Sequence, residues 1–181
     1  NRMNRYKTVI PGLFFCILLT ACAAQLTKDI EVTAKQRPGF DPTRYKTYAW
    51  LDTAQIVNDP LGKWEPPDFD ADAEVTRLVD RELAKQGISR TTDNPQILVT
   101  FIAGIDMIAL QLREDPEKGK ETLQSIPRGA LVVVLVDAVS RERLWVGVAG
   151  SDVGKQPDST AVRRRLDYAI TEMFRRLPAN N

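Results

Sequence analysis

Two stretches of this chain repeat apolar residues at a helical spacing, each on one side only. From Ala71 to Gln86, the residues Ala71, Val75, Leu78, Val79 and Leu83 form one stripe. Asp72, Glu74, Arg77, Asp80, Arg81 and Lys85 fall elsewhere. From Ser159 to Leu177 a second stripe carries Val162, Leu166, Ala169, Ile170, Met173, Phe174 and Leu177, and Pro178 closes it. A helix with a single stripe must lay it on an apolar surface, and a sheet between the two stretches supplies one. The ends of the first helix are also marked. Asp70 is placed to cap its free amides, Asp72 and Glu74 suit the positive end of its dipole, and Gly87 suits a left-handed terminator.

The sheet is legible in four runs. Tyr45 to Trp50 is aromatic and β-branched, and Ile97 to Ala103 is rich in Ile, Val and Phe, continuing in bent form through Gly104 to Leu112. Gly129 to Val136 and Leu144 to Ala149, joined by Ser140-Arg141-Glu142-Arg143, read as a hairpin. Asp52 to Pro67, with Pro60, Gly62, Pro66 and Pro67, reads as a loop, and Glu114 to Glu121 is almost wholly charged and expected to be exposed. The order β-α-β-β-β-α predicts an α+β two-layer sandwich. Its sheet is mixed or antiparallel with roughly four strands, and both helices lie on one face.

Ahead of the domain, Arg2, Arg5 and Lys7 precede an uncharged, mostly apolar run from Val9 to Ala21. That is the layout of a signal peptide, and the run is short of the roughly 20 residues a spanning helix needs. It ends in Leu19-Thr20-Ala21-Cys22, which resembles the bacterial lipobox in full. The alternative is a chance cysteine in an ordinary secretory signal, cleaved near Ala24. The organisation expected is a lipoprotein signal peptide over residues 1–21, a lipidated N-terminus and flexible tether over 22–39, and one α+β domain over 40–181. By this resemblance the only attached groups are a diacylglycerol and an N-acyl chain on Cys22, with no other cofactor or metal. Ala23, where an Asp would favour inner-membrane retention, points to the periplasmic face of the outer membrane of a Gram-negative bacterium.

Cys16 falls in the discarded segment and Cys22 is acylated in this reading, so the domain has no thiol left for an internal disulfide and depends on its core. Processing leaves 22 basic against 24 acidic residues, a near-neutral balance that argues against nucleic acid as a partner. The chain has no histidine, which removes both the commonest general base and the commonest metal ligand.

With these elements in order, the chain resembles the domain-of-unknown-function 4136 family of bacterial lipoproteins. The resemblance rests on Phe40-Asp41-Pro42-Thr43-Arg44-Tyr45-Lys46-Thr47-Tyr48-Ala49-Trp50, on Pro95-Gln96-Ile97-Leu98-Val99, on Gly129-Ala130-Leu131 leading to Asp137, and on Leu144-Trp145-Val146-Gly147. The family usually carries Asp where this chain has Gln96. The resemblance implies a location and a fold, and no catalytic residues.

The remaining features each have a plain reading beside a functional one. Asp52-Thr53-Ala54 resembles a protease aspartate turn but carries Ala where that turn has Gly, so a strand-ending turn is preferred. Asp68, Asp70, Asp72 and Glu74 lack the glycine loop of a calcium-binding hand and suit helix capping. Trp50 and Trp145 offer a binding platform or sheet packing, and Arg163 and Arg164 a basic patch or a solvated face. These four residues form the candidate partner surface. The function expected is a non-catalytic binding or structural module, anchored to the membrane by lipid and facing an envelope protein or the cell wall. The alternatives are a hydrolase acting on envelope material through Asp52, Asp106 or Asp137, and a docking subunit of an envelope assembly that uses the Gly129–Ala149 hairpin.

Overall fold

The computed structural model describes residues 26–51, 68–105, 109–115, 120–126, 128–152 and 158–177; between 105 and 128 the description is of backbone pairing. Eight strands and two long helices are placed: β1 (Glu31–Gln36), β2 (Thr47–Trp50), α1 (Ala71–Lys85), β3 (Ser89–Arg90), β4 (Ile97–Ile105), β5 (Ala109–Asp115), β6 (Lys120–Ile126), β7 (Arg128–Asp137), β8 (Arg143–Asp152) and α2 (Ser159–Arg175). Six of the strands make one mixed sheet in the order β1-β8-β7-β4-β2-β3, and β5 and β6 form a separate antiparallel pair.

The α+β class with both helices on one face holds, and the strand count is corrected from about four to six in the main sheet. β2, α1 and β4 form the expected crossover, since β2 and β4 pair in parallel. β7 and β8 form the expected hairpin, with β4 antiparallel to β7. The two added strands have different causes. β3 is two residues paired by main chain alone to Thr47 and Tyr48. β1 lies inside the stretch 22–39 expected as a tether, so ordered structure begins ahead of Phe40. Val32 and Ala34 pack on the core while Glu31, Thr33 and Lys35 point away, and an edge strand needs no more apolar character than that.

The helix ends follow the sequence signals. Asp70 Oδ1 accepts from the amides of Asp72 (3.1 Å) and Ala73 (3.0 Å), and Gly87 takes a positive φ of 74° just past the end of α1. On α2, Asp158 accepts from Ala161 N at 2.8 Å. The core lies between the helices and the near face of the sheet. Leu78, Val79, Leu83, Ile170 and Met173 meet Ile97, Val99, Val133, Leu135 and Trp145, all fully buried.

The two helices are also joined by charge. Glu74 and Glu82 of α1 are buried, at 8% and 5% exposure. Glu74 accepts from Arg77 (2.8 and 3.1 Å) and Arg163 (3.2 Å). Glu82 accepts from Arg81 (2.6 Å) and Lys85 (2.8 Å), while Arg81 reaches Asp167 at 2.6 Å. The Arg77 hydrogen bond holds the Glu74 carboxyl below the usual range, and Arg165 does the same for Asp29. Groups with depressed folded values give stability that is full above their unfolded values, about 4.5 and 3.8, and is lost as the pH falls through the folded ones. The unfolding temperature is therefore expected to drop steadily below about pH 4.5, and Glu74→Gln to flatten part of that drop in a thermal titration.

Candidate functional site

The four residues expected as a partner surface do not meet. Trp145 is fully buried under α2, its ring centroid 5.1 Å from that of Phe174. Trp50 is partly buried; it packs edge-on to Phe101 at 6.0 Å and donates from Nε1 to Asp80 Oδ1 at 2.8 Å. Arg163 is held by Glu74 and lies 4.0 Å over the Phe69 ring. Only Arg164 stands exposed with no ion pair among the described residues, so the aromatic platform and the basic patch are both withdrawn as surfaces. The other arginines of α2 are engaged in the same way: Arg165 clasps Asp29 at 2.6 and 2.8 Å, and Arg175 and Arg176 pair with Glu172. Cys22 and the lipobox residues Leu19, Thr20 and Ala21 lie outside the described residues, as do Asp52 and Asp106.

Asp137 has a structural task. Its Oδ1 accepts from the amides of Val139 (3.0 Å) and Ser140 (2.9 Å), closing the β7–β8 turn, and its Oδ2 accepts from the Tyr45 hydroxyl at 3.2 Å. The turn amides hold its carboxyl below the usual carboxylate range, while burial raises the Tyr45 phenol. A shallow depression of about 350 Å³ opens beside them, lined by Tyr45, Asn94, Pro95, Gln96, Asp137 and Val139. Gln96 Oε1 accepts from the amide of Lys46 at 2.6 Å, which is an acceptor's task that an aspartate would also serve. Among the described residues no group of three or more Cys, Asp or Glu is placed to hold a metal ion.

What remains is a surface that sequence reasoning named only in part. On β4, β7 and β8, one set of alternate residues faces the core: Val99 and Phe101, Leu131 and Val133, Trp145 and Ala149. The other set is mostly apolar, with Thr100 of β4 among it, and points away from both helices. It comprises Ile102 of β4, 43% exposed, with partly buried Val132, Val134 and Val136 of β7 and Val146 and Val148 of β8, and Leu98 of β4 at its buried end; none belongs to the core cluster. Ala49 of β2 extends it on one side, and exposed Glu31, Thr33 and Lys35 of β1 rim it on the other. Both described helices lie on the opposite face. Half of the candidate Gly129–Ala149 hairpin thus stands on this open face. The signal for it was the unbroken run Leu131 to Val136, since a strand apolar at every position has two apolar faces. A contiguous apolar patch of this kind is characteristic of a contact surface.

Comparison with known proteins agrees on the fold. The family model described as "Domain of unknown function (DUF4136)" matches residues 32–179. The crystal structure of a DUF4136 family protein from Bacteroides thetaiotaomicron is similar at a TM-score of 0.55 and 10% identity, covering 81% of this chain and 95% of that one. A PDZ domain protein from Parabacteroides distasonis is similar at 0.51 and 12% identity over 90% of this chain, which spans 40% of that protein's length. No curated protein matches the sequence.

Proposed function

This chain belongs to the DUF4136 family, and from that premise we propose that it is a bacterial lipoprotein, a non-catalytic module held by lipid on Cys22 at the periplasmic face of the outer membrane. The open face of its sheet is the working surface, and that face is the observation carrying the docking role. The ordered series of basic residues, apolar run and lipobox supports the anchoring, and Ala23 supports the outer membrane as its destination.

The anchored domain sits close to the bilayer. Arg165 of α2 donates to the carbonyl of Leu26 and clasps Asp29, so the domain holds the chain within four residues of Cys22. At about 3.5 Å per extended residue, the lipidated cysteine stands within roughly 14 Å of the domain.

Fractionation of cells expressing the native chain or Cys22→Ala tests the reading. The native chain is expected with the outer membrane and the variant in the soluble periplasm. Recovery of both in the soluble fraction would remove the anchor from the account.

A further inference from the structure

We propose that the shallow depression beside Asp137 binds the carboxylate end of a cell-wall peptide. The wall as its source rests on the lipoprotein reading, while the site itself goes beyond that reading. The chain from the anchor reaches the domain where Arg165 holds Leu26 and Asp29, beside Asp152 at the end of β8. The depression lies at the other end of the sheet, where β7 ends at Asp137 and β4 begins at Ile97. β8 runs 10 residues between the two ends, roughly 30 Å at about 3.3 Å per residue, so the depression stands clear of the point of attachment.

Several residues at this end serve no contact within the fold. Asn94 and Arg141 take positive φ, 46° and 61°, and among the described residues they are the only ones other than glycine that do. Glycine would adopt that backbone more easily at either place, so neither side chain is there for the turn alone. Val139, beside Arg141 in the β7–β8 turn, is an apolar side chain 92% exposed. Gln96 gives its Oε1 to the Lys46 amide, which leaves its amide nitrogen free to donate. Among the described residues neither that nitrogen nor the Asn94 side chain has a hydrogen bond, and both residues line the depression.

The charge at this end is one-sided. Arg44 and Lys46 flank Tyr45, and Arg141 and Arg143 flank Glu142; all four cations are exposed and make no ion pair among the described residues. The charge of Arg44 reaches the Tyr45 phenol in the wall of the depression. Of the carboxylates at this end, Glu142 is held by Arg37 at 2.6 Å, Asp41 by the Thr43 amide and Asp137 by the amides of its turn, which leaves Asp93 against the four cations. An anion answers that balance, and a carboxylate is the anion that side-chain amides and a guanidinium receive together. Pro95 and Val139 add apolar contact for one small side chain beside it. A volume of about 350 Å³ suits a ligand of a few residues and not a protein face. Short peptides with free carboxylates and terminal alanine are what the cell wall presents to a protein anchored in the outer membrane.

Fluorescence anisotropy tests the proposal, with the full chain in non-ionic detergent and a labelled cell-wall tetrapeptide ending in a free D-alanine carboxylate as the probe. The native chain is expected to bind it, more weakly as salt is raised. The same peptide amidated at its C-terminus should bind about tenfold more weakly. Arg141→Gly and Asn94→Gly should each weaken binding on the order of tenfold and leave the unfolding temperature almost unchanged, because glycine accepts the left-handed backbone at both positions. No binding at any concentration overturns the proposal, as do binding that survives amidation and variants that lose binding only together with their fold. Equal binding of an ordinary L-peptide of the same charge overturns the wall as the source. Fractionation of the same chains reads the anchor separately, so failure of the peptide site leaves the lipoprotein reading intact.

Discussion

Gly147→Ala is expected to destabilise the domain by about 3 kcal/mol, at the upper end of overpacking costs. Gly147 sits on the core side of β8, where a Cβ would lie 2.4 Å from Cη2 and 2.9 Å from Cζ2 of Trp145, and 3.0 Å from Sδ of Met173. The ring has no room to yield. It is fully buried against Phe174, and interiors packed at native density transmit such a clash instead of absorbing it. Trp145→Phe shortens the group that the new methyl meets, so the pair Gly147→Ala with Trp145→Phe is expected to lose less than the sum of the two single changes. Urea denaturation of the four proteins gives the coupling. Strict additivity would mean that the two residues do not share this space.

Asp80→Ala is expected to cost about 2–4 kcal/mol, because it strands two donors from the sheet at once. Asp80 of α1 accepts at Oδ1 from the Tyr48 hydroxyl (2.5 Å) and from Trp50 Nε1 (2.8 Å), while Arg90 approaches Oδ2 at 3.5 Å. Tyr48 is only 1% exposed, so its hydroxyl depends on an acceptor at this position. Asp80→Asn keeps an acceptor and is expected to lose about half as much. The same node has an alkaline signature. Burial, reinforced by the bond to Asp80, pushes the Tyr48 phenol well above its ordinary value of 10.0. A raised folded value gives stability that is full below the unfolded one and is lost as the pH climbs toward the folded one. Stability should therefore decline above about pH 10, and Tyr48→Phe, at a cost of about 1 kcal/mol near neutrality, should flatten that decline. Thermal unfolding across the alkaline range reads both effects.

These two sites show where the sequence was legible and where it was not. The helices declared themselves through local rules: the apolar stripe of α1, its Asp70 cap and the left-handed Gly87 are all decided within a few residues. β4, β7 and β8 declared themselves through unbroken apolar runs. β1 did not, because an edge strand buries only Val32 and Ala34 and its other residues read as linker. β3 carries no side-chain signal, being held by main-chain pairing to β2.

The fates of the candidate surface residues depended on distant partners. Arg163 is neutralised by Glu74, 89 positions away, and Trp145 is enclosed by Phe174 of α2. One local clue to Trp145 existed: Gly147, on the same face two residues on, leaves the space its ring fills, and glycine inside a strand often marks such a close approach. The open face followed from the apolar run in β7 once both helices were found on one side.

Intact mass spectrometry of the chain recovered from membranes reaches the central claim most directly. The account predicts a polypeptide that begins at Cys22 and carries three acyl chains, the diacylglycerol on sulfur and the N-acyl group on the new amino terminus. An unmodified chain beginning near Ala24, or one retaining residues 1–21, would contradict it.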